Sequence, residues 1–460
     1  MSVAIAIQAL EDAGLSTDVI ANEFLKLRGG YPDEIFLNEC LHQLEGAGDT
    51  HTDPATFTIL IEYTREKLNT GHWSEVPDCW RISYALLRLA SAITRLRAVA
   101  TENEAICQLK LALWELDDAL IMGFCSLNEG ITKMASFLNK LTNDPTEHRF
   151  PASYPELSPE AVDLEAFKFK GERISVLPRV HQPSPNEFMQ ILTRGVPVII
   201  TGAMKHWRAL NPTSAHYWSP SYWSKCAGRR TVPVEVGSAY TDDKWGQRLI
   251  TVDCFLERFI LPNLEQNHQH SVGSKGYLAQ HQIFLQIPEL ADDVDIPDYC
   301  YVGGPTDSES TTIDSNIWFG PAGTISPLHH DSDRSNVLCQ VIGRKYVKLY
   351  TADQTDLVYP HGDAMLSNTS QVDVVDPRLD EFPRFANASG FHGCIESGEM
   401  LFIPPRCWHY LKSLSCSISL NFWWNVSQEL IPAWSSSYSA PANRQINDKT
   451  VNCDDAVVFF

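Results

Sequence analysis

The sequence predicts an α+β protein, with a helical N-terminal domain followed by a two-sheet jelly roll flanked by helices. Three observations predict it. Apolar residues in the first third recur at helical spacing. After a proline-punctuated stretch the chain turns to short apolar runs bounded by Gly and Pro, the mark of strands and tight turns. Residues able to share one metal ion lie far apart in the chain, and a jelly roll brings distant strands to one pocket.

The helical part comes first. Asp53-Pro54 offers an N-cap and a helix-starting proline, Ile59, Leu60, Tyr63 and Leu68 follow at helical spacing, and Gly71 can end the helix. A second helix is predicted from Trp80 to Val99, with Leu86, Leu87, Leu89, Ala90 and Ile93 inside, and a third from Asn103 to Met122, stopping at Gly123. Residues 1–142 are taken as this domain, with a role in folding support or partner binding. Pro145, Pro151, Pro155 and Pro159 mark a linker over 143–165. The jelly roll spans 166–424. Its strands include Pro197–Thr201, a pair from Asn336 to Tyr350 turning at Gly343, Met400–Ile403, and Ser417–Phe422 with Ile418, Leu420 and Phe422 alternating. A polar, Ser-rich tail over 425–460 ends in an apolar Val457-Val458-Phe459-Phe460.

Composition bounds the function. The 460 residues suffice for two or three domains, and 44% hydrophobic content is ordinary for a globular chain. A net charge of −21 argues against direct nucleic-acid binding and suits either a basic partner or plain solubility. The 12 cysteines form no C-x-x-C pair, so they read as reduced thiols in a nuclear or cytoplasmic protein. The short apolar run Val3–Ile7 lacks a basic flank and precedes Glu11 and Asp12, unlike a secretory signal, and no stretch has the length of a membrane span. Oligomeric state is not legible.

The chemistry concentrates in Leu328-His329-His330-Asp331, answered by Cys407-Trp408-His409-Tyr410. In an extended chain, residues two apart share a face, so His329 and Asp331 can grip one ion while His409 supplies a third ligand. Two His and one carboxylate form the facial arrangement of non-haem Fe(II) oxygenases, which leaves positions for co-substrate and O2. His330 alternates to the other side. Taken singly, H-x-D is a weak signal and His409 reads as a packed core residue. Lys345 strengthens the set, since an ammonium in an apolar row with Val347 and Leu349 needs an anion. Its bland alternative is an edge-strand lysine facing solvent. Tyr277 can add a hydroxyl to the same anion, and Ser326 and Asn336 bracket the H-x-D strand, although all three also suit core or turn positions. His268, His270 and His361 read as loop residues.

These residues extend into longer motifs. Thr324 to Asp331, Gly343-Arg344-Lys345-Tyr346, Asn368 to Asp373, and Gly398 to Pro404 with Trp408-His409 resemble the Jumonji-C oxygenases. So do Gly276 to Gln282, Trp318 to Pro321, Thr231 to Gly237 with Tyr240-Thr241-Asp242, and, in the helical part, Lys67 to Trp73 and Ala119 to Gly123. The resemblance covers most of 55–424. It implies a double-stranded β-helix of cupin type, with Fe(II) on His329, Asp331 and His409, and 2-oxoglutarate and O2 as co-substrates. It implies Lys345, Tyr277, Asn336, Ser326 and Trp423 around 2-oxoglutarate, and Glu235, with Trp245 near it, at a protein substrate. The expected activity is oxygenation of an Arg- or Lys-bearing protein such as a histone tail. Arginine hydroxylation is favoured, because a carboxylate grips a guanidinium well. Demethylation of N-methyl-lysine by the same chemistry, a catalytically silent adaptor and a zinc cupin isomerase are the alternatives. Asp331 and Asn336 stand one residue further apart than the family pattern. That residue is either absorbed as a bulge or turns Asn336 out of the pocket.

Overall fold

The computed structural model describes residues 2–46, 54–71, 75–99, 101–143, 150–157, 160–237, 245–265, 275–305, 312–362 and 366–435. Asp53, the His72-Trp73 pair, Pro145, Pro159, Tyr240–Asp242, His268, His270 and the apolar end of the tail lie outside them.

The N-terminal part is helical, as the spacing predicts. Its helices are α1 (Ser2–Asp12), α2 (Thr17–Lys26), α3 (Glu34–Gly46), α4 (Thr58–Leu68), α5 (Asp78–Arg97), α6 (Glu102–Met122) and α7 (Asn128–Thr142). Pro54 begins a 3-10 turn, Pro54–Phe57, ahead of α4. Within α4, Leu60 and Leu68 are buried while Ile59 points outward, so the expected apolar stripe is narrower than its spacing suggests. The central helix α5 is buried from Tyr84 to Thr94 on nearly every side. Its polar positions are therefore paired: Arg88 bonds Glu115 at 2.7 Å and Asp118 at 2.6 Å, both on α6.

The rest is sheet-rich. Its strands are β1 (Arg173–Val176), β2 (Arg179–His181), β3 (Val198–Thr201), β4 (Thr231–Val236), β5 (Gly246–Thr251), β6 (Gly276–His281), β7 (Asp314–Gly320), β8 (Ile325–His329), β9 (Arg334–Ile342), β10 (Arg344–Tyr350), β11 (Ser389–Glu396), β12 (Glu399–Ile403), β13 (Trp408–Ser413) and β14 (Ser417–Asn425). Five form one sheet in the order β1-β11-β10-β13-β8, and nine form the other in the order β2-β3-β12-β9-β14-β7-β6-β4-β5. Leu338, Leu401 and Ile403 from the large sheet meet Val347, Leu349 and Leu411 from the small one, which is the jelly-roll interior. The outer face of the large sheet is also buried. There Val337, Cys339, Phe402, Ile418 and Leu420 pack under helix α8 (Pro185–Arg194), helix α9 (Pro220–Ala227) and four tryptophans. The alternating apolar row of β14 thus faces the helices, and its polar row, Ser419 and Asn421, faces inward.

The β9–β10 turn depends on glycine. Gly343 has φ +77°, and a Cβ there would stand 2.0 Å from the Cys416 carbonyl oxygen.

The helical part is joined to the sheets by a buried polar contact. Asp117 on α6 bonds Arg230 at 2.7 Å, with both side chains essentially inaccessible to water. It also accepts from the Thr231 amide and from Gln286 Nε2. Asn139 on α7 donates to the Cys226 carbonyl at 2.8 Å. The stretch expected as a linker is tied down where it is described: Phe150 belongs to the jelly-roll core, and the Pro151 carbonyl accepts from the Ser221 amide. Among the described residues no helix is long and apolar enough to cross a membrane.

Candidate active site

β8 and β13 run antiparallel, with His329 opposite His409 and Ser326 opposite Leu411. The two pairs are out of step by one residue, so β8 carries a bulge. Without it, Ser326 and His329, three apart, would face opposite ways. With it, both look into the interior. The strand ends at His329, and Asp331 follows just beyond, before a turn.

His329, Asp331 and His409 offer one ligand atom each, all within 4.8 Å of one another. His329 Nε2 lies 3.9 Å from Asp331 Oδ1, and His409 Nε2 lies 3.5 Å from Asp331 Oδ2. Each ring is oriented by its other nitrogen. His329 Nδ1 meets the Pro327 carbonyl at 2.7 Å, and His409 Nδ1 meets the Cys407 carbonyl at 3.0 Å. A carbonyl only accepts, so both Nδ1 atoms carry the proton and both Nε2 lone pairs are left for a metal. Burial and the neighbouring His409 push His329 down to about 4, against the pull of Asp331. Burial would raise Asp331, but His409, His329 and two hydrogen bonds hold it below the usual carboxylate range. Neutral imidazoles and an ionised carboxylate are the forms that bind a metal.

The two hydrogen bonds come from Asn336 Nδ2 at 2.8 Å and Trp423 Nε1 at 3.1 Å, both to Asp331 Oδ2. In the turn between Asp331 and Asn336, Ser332 takes φ +50°, and Asn336 lies in the inward row of β9 and lines the pocket. Asn336 and Trp423, cross-strand neighbours on β9 and β14, thus both touch the carboxylate.

Beside the triad lies a cavity of about 330 Å³, whose lining includes Lys345, Tyr277, Ser326, Asn336, Trp423 and Asn421. Lys345 is 2% exposed, and among the described residues no carboxylate pairs with it. Its Nζ donates to the Tyr277 hydroxyl at 3.2 Å. Burial pushes the Lys345 ammonium down to about 7. Tyr277 is also bonded to Ser326, and burial raises its phenol.

A larger cleft of about 1010 Å³ adjoins this cavity and shares Tyr277, Trp318, Ser326, His329, Asp331 and Trp423 with it. Glu235 stands in its wall on β4, directly across from Tyr277 on β6. Trp245 Nε1 donates to Glu235 Oε2 at 3.2 Å. Burial outweighs that bond and pushes Glu235 up to about 7.

The sequence reading missed Asn421 and Trp318. Trp318 Nε1 donates to Asn421 Oδ1 at 2.7 Å, while Asn421 Nδ2 is buried with no partner. A buried, unspent amide donor in a cavity wall points to a ligand oxygen. The signal was the polar row of β14, which reads as a solvent face when one face of a sheet is assumed to be wet. His330 turns away from the triad, as alternation predicts, and packs between Trp408 and Trp434.

The donor set fits Fe(II) with positions left for oxygen ligands, and the buried, uncompensated ammonium fits the far carboxylate of 2-oxoglutarate. Comparison with known proteins agrees. The cupin-like domain family matches residues 184–429. Lysine-specific demethylase 8 of Danio rerio is 38% identical over 385 residues, covering 83% of this chain and 90% of that protein. A lysine-specific demethylase of Arabidopsis thaliana is 36% identical, covering 79% and 84%. Jumonji C domain-containing protein 5 of Drosophila melanogaster is 31% identical, covering 84% and 90%. Fold, site and relatives converge: the chain belongs to the Jumonji-C family of Fe(II)- and 2-oxoglutarate-dependent oxygenases.

Proposed function

We propose that the protein hydroxylates an arginine side chain of a basic protein or peptide. The observation that carries this reading is Glu235, a carboxylate set in the cleft wall directly across the strand pair from Tyr277. A guanidinium presents a planar fork of N–H donors that a carboxylate accepts two at a time. A trimethylated ammonium presents none, so hydrogen bonding to Glu235 would be lost on it. The chain's net charge of −21 suits a basic partner.

In this reading His329, Asp331 and His409 hold the iron, and Asn336 and Trp423 fix the Asp331 carboxylate. Lys345 and Tyr277 bind the far carboxylate of 2-oxoglutarate, with Ser326 and the Asn421 amide completing its hydrogen bonds. When bound, iron and co-substrate supply an oxidant from O2: 2-oxoglutarate becomes succinate and CO2, and a substrate C–H becomes C–OH. Trp318 and Trp423 wall the junction of the two cavities and keep water from it. Glu235 places the guanidinium so that a neighbouring C–H lies over the site.

The relatives named lysine-specific demethylases favour a second reading, in which the oxidised carbon is an N-methyl group lost as formaldehyde. One experiment separates them. Two peptides of one sequence, bearing arginine or N-methyl-lysine at the same position, are incubated with Fe(II) and 2-oxoglutarate and weighed. Gain of one oxygen on the arginine peptide is expected. Loss of a methylene from the lysine peptide alone would overturn the arginine reading. Equal inertness of the wild type and His329→Ala, with no succinate formed, would favour the adaptor. Glu235→Gln should lower kcat/KM for the arginine peptide by roughly 10- to 150-fold, the worth of a charged hydrogen bond, with substrate-free succinate production unchanged.

A further inference from the structure

The chain continues past β14. Ser427 is tied to the Gly303 and Gly304 carbonyls, Gln428–Leu430 makes a 3-10 turn, and Leu430 and Ile431 pack on the core. The segment then crosses the loops that carry the metal ligands. The Pro432 carbonyl accepts from Arg406 Nη1 at 3.1 Å. The Trp434 ring lies 4.9 Å from the Arg406 guanidinium carbon and 4.8 Å from the His330 ring. Ser435 Oγ donates to Asp356 at 2.7 Å.

What lies beneath explains why this matters. His330 sits between the ligands His329 and Asp331, and Trp408 immediately precedes the ligand His409. The His330 ring stands edge-on between Trp408, 4.7 Å away, and Trp434. Its main chain is pinned on both sides by Asn368, and its Nδ1 accepts from the Ser332 amide. The loops are joined a second time through Arg406. Its amide donates to the Ser332 carbonyl at 2.8 Å, and its guanidinium pairs with Asp333 through Nε and Nη2. Ser332 and Arg406 both hold positive φ, +50° and +60°, a conformation that persists only where the surroundings enforce it. Trp434 touches both supports, the His330 ring and the Arg406 guanidinium.

We propose that Gln428–Ser435 is a strap over the metal centre, and that Trp434 is a positioning residue that fixes Asp331 against the two histidines by clamping His330 and Arg406. Leu430 and Ile431 anchor the strap on the core, and Trp434 acts on the ligands through these two side chains.

The test uses the metal-free full chain and Mn(II) as a paramagnetic probe, so it needs no substrate and stands or falls apart from the arginine reading. Trp434→Ala should weaken Mn(II) binding about tenfold, the scale of lost support for a ligand. Trp434→Phe, which keeps a ring edge, should restore most of it. A chain ending after Ser435 should bind as the wild type. The triple variant Trp434→Ala/His330→Ala/Arg406→Ala should bind no more weakly than His330→Ala/Arg406→Ala, and 2-oxoglutarate affinity at saturating Mn(II) should not move in Trp434→Ala. Unchanged Mn(II) affinity in Trp434→Ala with a lowered thermal midpoint would reduce the strap to a structural element and overturn the proposal. So would a further loss in the triple variant beyond His330→Ala/Arg406→Ala, or an equal loss in the chain ending after Ser435. If Trp434→Ala does not fold, Trp434→Leu, which keeps a branched apolar side chain without the ring, carries the same expectations.

Discussion

Lys345 bears a large electrostatic cost. An ammonium whose pKa falls from 10.5 to about 7 has lost roughly 5 kcal/mol of stabilisation of its charged form. A bound dicarboxylate would return it, and the sign of the pH dependence follows. Below about pH 7 Lys345 is already protonated, and binding takes up no proton. Above it, the free protein carries a neutral amine, and the incoming carboxylate must draw in close to one proton. 2-Oxoglutarate affinity should therefore fall as pH rises through about 7, with proton uptake appearing in calorimetry in buffers of different ionisation enthalpy. Lys345→Met should remove the uptake. In the proposed reading Glu235 runs the other way: its ionised form would hold a cationic guest, so substrate affinity should rise as pH rises through about 7. Lys345 was legible in the sequence because a charge in one alternating row with Val347 and Leu349 breaks an apolar pattern. Its strand-mate Lys348 is fully buried too, on the other face, and was not singled out. Its partner Glu172 lies far upstream, and nothing local signals the pair.

The strands decide which residues meet. The β9–β10 hairpin carries both Asn336 and Lys345, and its turn is where it is weakest to change. Gly343→Ala would place a methyl group into the Cys416 carbonyl at a positive φ. We expect a loss of about 3 kcal/mol or more, read as a lower denaturant midpoint. The period of two made most of the site readable: His329 with Asp331, and Lys345 with Val347. It failed in two places for physical reasons. The bulge in β8 brings Ser326 and His329 to one side, and bulges leave no mark in composition. β14 is buried on both faces, and the alternation of Ile418, Leu420 and Phe422 does not distinguish a polar row facing a cavity, with Asn421, from one facing water. Trp434 was hidden differently, as one aromatic in a polar tail whose contact is made by the fold alone.

Across the whole molecule, helices and sheets were each predictable, and their joint was not. Asp117 and Arg230 are far apart in sequence, and each is an ordinary charged residue in its own segment. Together they form a buried ion pair that also satisfies Thr231 and Gln286. Removing one partner of such a pair strands the other charge, so Asp117→Ala should cost about 3–5 kcal/mol in urea unfolding. Asp117→Leu/Arg230→Met should cost less than Asp117→Ala alone, because no charge is left behind. The same contact reaches towards the site: Gln286 Oε1 meets His281 at 2.6 Å, at the end of the strand that carries Tyr277.

The two cavities adjoin, with six lining residues common to both. In the proposed reading, a polypeptide lying in the larger one acts as a stopper on the smaller. The expected order of entry is then the small acid first and the macromolecule second, with the spent acid leaving after the macromolecule has moved off.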